Sequence, residues 1–211
     1  MEGGRGPLPR AGPKLKGVVV IKRMTILLSL MIILVLLSAC GGAERDREEF
    51  SAWREEFRAL EELTITADLT AAGGTMFSEY RLLYRMDGEE ETVEVIAPEL
   101  IANIKARRSP GALRLSYDGV MLDTGHSAGD RLSPMMALPT FADCLRDGHI
   151  ERTWREEVEK RPMLVTELQL PDGVFMTLWQ ERGGMRPVHA ALRNGEAVTL
   201  RMTVIEWGQG R

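Results

Sequence analysis

Leu63-Thr64-Ile65-Thr66-Ala67-Asp68-Leu69-Thr70 decides the fold class. Its apolar side chains fall on every second residue, the period of a strand with one face buried and one face wet. The same period returns downstream. Met76–Met86, Glu91–Ile96, Ile101–Arg107, Ala112–Tyr117, Val120–Asp123, His149–Glu159, Met163–Leu170, Val174–Gln180, Val188–Arg193 and Ala197–Trp207 are the further strand candidates. Six dipeptides punctuate them: Gly73-Gly74, Asp87-Gly88, Asp118-Gly119, Asp172-Gly173, Gly183-Gly184 and Asn194-Gly195. Each supplies the positive φ of a tight hairpin, so a long antiparallel meander is expected. No Gly-rich loop leads from a strand into a helix, which argues against a parallel nucleotide-binding sheet.

Two helices are predicted. In Glu44–Leu60, Phe50, Trp53, Phe57 and Leu60 form one stripe opposite Arg54, Glu55, Glu56 and Arg58. Asp46 and Glu49 look like a capping pair. Such an aromatic stripe usually packs on the protein's own sheet. Past the middle, Ser133–Pro139 begins with a short turn. A helix then runs from about Pro139 to Asp147 and can end at Gly148. Leu138, Phe141 and Leu145 share its face.

Upstream of the strands, Thr25–Leu37 is 13 residues without charge, preceded by Lys22 and Arg23. That length suits a secretory signal, whereas a membrane span needs about 20 residues. It ends in Leu37-Ser38-Ala39-Cys40-Gly41-Gly42, which resembles the bacterial lipobox and implies diacylglycerol on Cys40. Residues 1–39 are therefore read as signal peptide, residues 40–43 as a lipidated tether and residues 44–211 as a single domain. Residues 1–19 carry no periodic pattern, and initiation at Val20 leaves a compact signal. From Cys40 on, 21 basic and 30 acidic residues give a net charge of −9. Anionic lipid repels such a body, so palmitate-type acyl chains hold it at the membrane. The expected location is extracytoplasmic.

Composition bounds the chemistry. The 211-residue chain has a net charge of −4, two cysteines and three histidines. It lacks the basic footprint that nucleic acid requires. With Cys40 acylated, Cys144 has no disulfide partner and reads as a small buried hydrophobe. Asp123-Thr124-Gly125 matches half of an aspartic-protease site, but turn chemistry explains one such triplet better. His149 is read as structural. The runs Glu89-Glu90-Glu91 and Glu156-Glu157 are read as solvated hairpin faces. No metal site, no cofactor and no enzyme activity are expected.

A lipidated chain with an N-terminal helix, about ten antiparallel strands and a late helical insertion resembles the lipoprotein-carrier superfamily of LolA and LolB. The resemblance covers about residues 44–207. The stretches Val93–Ile104, Tyr117-Asp118-Gly119 and Leu122–Gly125 are similar to small clostridial lipoproteins of the GerS-like germination type. It implies a mainly β (α+β) fold, a curved, open antiparallel half-barrel wrapped around one N-terminal helix and one inserted helix. It also implies that the concave face binds a hydrophobic ligand such as an acyl chain or a lipidated peptide. The candidate ligand-binding residues are Leu82, Tyr84, Val93, Val95, Leu113, Leu115, Met176, Leu178, Leu200 and Met202. Leu138 and Phe141 would cover them, and Met135 and Met136 are candidates for a flexible lid. The carriers' ligand-gating Arg matches none of the 19 arginines from Cys40 on, and no protruding apolar loop of the LolB kind is found. The germination type implies an alternative, a lipid-tethered module that binds or regulates a cell-envelope or spore-cortex hydrolase.

Overall fold

The computed structural model describes residues 41–73, 76–109, 112–123 and 131–210. The chain divides into one unit up to Glu44 and a second from Arg45 to Arg211. The signal, Cys40 and the triplet's Thr124 and Gly125 lie outside the described residues, as does His126. No described helix is long and apolar enough to cross a membrane.

The second unit is an open, curved antiparallel sheet of eleven strands with two helices. The strands are β1 (Glu62–Gly73), β2 (Met76–Asp87), β3 (Glu90–Ala97), β4 (Lys105–Ser109), β5 (Ala112–Tyr117), β6 (Val120–Asp123), β7 (His149–Val158), β8 (Arg161–Gln169), β9 (Val174–Glu181), β10 (Pro187–Asn194) and β11 (Ala197–Gln209). Their order is β6-β5-β4-β3-β2-β1-β11-β10-β9-β8-β7. Every neighbour is consecutive in sequence except β1 and β11, which join the chain's first and last strands. Gly88, Gly119, Gly173 and Gly195 take the positive φ that their hairpins need.

Helix α1 spans Gly41–Arg58 and α2 spans Ala137–Asp147. The stripe of α1 packs on the sheet. Phe50, Trp53 and Phe57 are buried, and the Phe57 ring lies 6.0 Å from Trp207 of β11. Helix α2 is enclosed nearly all round, with Leu138, Phe141, Cys144 and Leu145 fully buried. A 3-10 turn at Pro134–Met136 precedes it. Pro139 is then its third residue, where the missing N–H has no intrahelical partner to lose.

Three local expectations are corrected. Helix α1 begins at Gly41, so Asp46 lies inside it and pairs instead with Arg155 of β7. The strand expected at Ile101–Arg107 starts at Lys105, because Glu99–Ile101 is a 3-10 turn and Asn103 takes φ 68°. Glu91 is not solvated: it is buried and ion-paired with Arg108.

The candidate site on the inner face of the sheet

Cross-strand partners share a face, so register defines the inner surface. One row runs Trp207, Ile65, Tyr84, Val93, Ala106, Leu115 and Leu122 across seven strands. Under the helices it is dry: Ile65 and Tyr84 are 0% exposed, Val93 1% and Ala106 3%. Leu115 is half-buried against the core, and Leu122 at the sheet edge is 62% exposed. The next pair on that hairpin, Tyr117 and Val120, is also exposed. The apolar inner surface thus continues past the helices and emerges uncovered on β5 and β6.

The sequence-derived residues divide accordingly. Leu82, Tyr84, Val93, Val95, Met176, Leu178, Leu200 and Met202 all face the helices and are sealed in the core with Leu138 and Phe141. Met136 is buried and Met135 half-buried on the 3-10 turn. A ligand reaches these side chains only by displacing α2. Leu113 and Leu115 are half-buried at the covered margin. Tyr117, Val120 and Leu122 continue that surface into solvent. Sequence reasoning missed them, although their alternation with Ser116 and Met121 across Asp118-Gly119 assigns the face.

Beside this margin an ion network ties α2 to the sheet. Arg108 of β4 donates to Glu91 of β3 at 2.7 and 2.8 Å and to Asp143 of α2 at 2.7 and 2.8 Å. Arg131 donates to Asp143 at 2.7 Å and pairs with Asp172 in the β8–β9 turn. Burial alone would raise the Asp143 carboxyl. Arg108 and Arg131 outweigh it and hold the group below the usual carboxylate range. Burial likewise opposes the Arg108 charge, but Asp143 and Glu91 hold its pKa above normal. Burial, then the Glu91 charge, pushes the Tyr84 phenol well above its ordinary value.

At the other end of α2, the carbonyl of Arg146 has no partner within the helix. Arg54 donates to it at 2.8 and 3.3 Å and Arg58 at 2.7 Å, so α1 caps α2. His149 is the exposed first residue of β7.

The described residues from Arg45 on form a curved antiparallel sheet with helices packed in its bend. No known family matches the sequence, and no curated protein matches it. Solved structures do match. A putative outer membrane lipoprotein-sorting protein domain from Vibrio parahaemolyticus is 9% identical, with 76% of this chain and 91% of that chain covered and a TM-score of 0.50. A LolA superfamily protein from Nitrosomonas europaea is 13% identical, with 78% and 93% covered and a TM-score of 0.48. LprF from Mycobacterium bovis is 9% identical, with 79% and 95% covered and a TM-score of 0.44. At these identities the likeness is one of fold.

Proposed function

We propose that the chain is an extracytoplasmic lipoprotein, anchored through Cys40, that binds an apolar chain on the inner face of its sheet and catalyses no reaction. The ligand class is an acyl chain or a lipidated peptide. The carrying observation is the row from Tyr84 to Leu122, along which exposure rises from 0 to 62% on an unbroken apolar surface. Leaving Tyr117, Val120 and Leu122 in water is unfavourable by about 25 cal/mol per Å² of apolar area, and an acyl chain laid on them recovers that. Deeper insertion requires α2 to leave the sheet.

The two faces of β6 provide the test. Leu122→Glu, on the inner face, weakens binding of a fluorescent fatty acid by tenfold or more, consistent with about 1.5–3 kcal/mol for one buried Leu. Met121→Glu, on the outer face of the same strand, leaves it unchanged. Equal loss in both variants, or in neither, contradicts the assignment.

A second reading is a tethered interaction module for an envelope or spore-cortex hydrolase. The sheet's edges favour it. Edge strand β7 carries Glu151, Arg152, Arg155, Glu156 and Glu157, charges that discourage pairing, whereas edge strand β6 exposes Val120, Met121 and Leu122. Affinity isolation from detergent extract separates the readings: co-purified lipid supports the first, a stoichiometric hydrolase the second.

A further inference from the structure

The outer face of β7–β11 carries a hollow remote in register from the inner site. It holds about 300 Å³, the lower bound for small-molecule sites. Trp179, Val158 and Ala191 line it with apolar surface, and Glu156, His189 and Arg201 bring polar groups to it. Register explains the arrangement. Trp179, His189 and Thr203 occupy one cross-strand row, and Ala191 and Arg201 are paired in the next. The small Ala191 leaves space between them.

Three of these groups are set for a ligand. Trp179 is cross-strand partner to the fully buried Val165, which supports the indole from the side. The Nδ1 atom of His189 lies 3.1 Å from the Thr203 hydroxyl, which orients the ring and leaves Nε2 without a partner among the described residues. Arg152, Arg155, Arg161 and Arg193, the other arginines on β7–β11, are all ion-paired. Among the described residues, the Arg201 guanidinium and the Trp179 indole N–H have no hydrogen-bond or ion-pair partner.

The chemistry of the lining narrows the ligand. Glu156 and Arg201 bring opposite charges to one hollow, which disfavours a polyanion and a polycation alike. Donors and acceptors converge beside an aromatic wall and a flat apolar floor. A neutral pyranose ring answers all of these: its C–H face lies on the indole, and its hydroxyls accept from Arg201 and donate to Glu156. We propose that this hollow binds a neutral pyranose ring of an uncharged glycan.

Saturation-transfer NMR on the mature lipoprotein in micelles, with triacetylchitotriose as probe, tests this. The wild type transfers saturation to one face of a sugar ring, with a dissociation constant of about 1 mM. Arg201→Gln, a surface change, weakens binding about tenfold, as does Trp179→Phe, which keeps the packing but removes the N–H. No transfer to the sugar, transfer unchanged in both variants, or displacement of the sugar by inorganic phosphate overturns the proposal.

Discussion

Glu159 and Lys160 turn β7 into β8 with both backbones left-handed, at φ 50° and 64°. Neither residue is Gly, Asn or Asp, so no dipeptide signal marked this hairpin, and only the break between two alternating runs revealed it. The left-handed region is unfavourable by about 1–2 kcal/mol for an ordinary side chain. Lys160→Gly therefore raises stability by about 1 kcal/mol, or about 2–4 °C in melting temperature, measured by thermal denaturation. Gly148 makes the opposite point. The helix does stop there, as the sequence suggested, but at φ −61° rather than in the left-handed region; the residue is small because a Cβ there would lie 2.6 Å from the Cys144 carbonyl oxygen. Gly148→Ala destabilises by about 1–3 kcal/mol, as overpacking does. Cys144 itself is fully buried, and burial followed by the Asp143 charge pushes its thiol up to about 12. At pH 8 it resists iodoacetamide until the protein is unfolded, as mass spectrometry of the alkylated chain will show.

At the scale of elements, helix α2 is the part that covers the inner face. Its apolar side was legible from Leu138, Phe141 and Leu145. The ion network was not, because Arg108 and Asp143 are 35 residues apart and a strand charge facing inward reads like one facing water. Asp143→Asn removes a charge shared by Arg108 and Arg131 and destabilises at pH 7 by about 2 kcal/mol in urea unfolding. The folded carboxyl titrates lower than the unfolded one. Its contribution is complete above the unfolded value of about 3.9 and fades as pH falls through the lower folded value. The wild type thus loses stability more steeply than Asp143→Asn below about pH 4.

For the whole molecule, hairpin turns dictated most of the topology: strands joined by tight turns can only pair with their neighbours. Each of the eleven strands overlaps a segment expected to be a strand, although β4 starts four residues later than expected and β8 is a continuous buried run. What local patterning could not show is the closing pair of β1 with β11, nor which inner-face residues the helices leave bare. Both depend on contacts between distant segments. The consequence is a sheet whose apolar lining is sealed over most of its width and open at β5 and β6. The measurement that bears most directly on the proposed function is methyl NMR of the protein titrated with a fatty acid. Methyls of Leu113, Leu115, Val120 and Leu122 are expected to shift first, while those of Leu82, Val93 and Val95 stay fixed until α2 is released. Shifts confined to the outer face, or no shifts in either group, would contradict the proposed function.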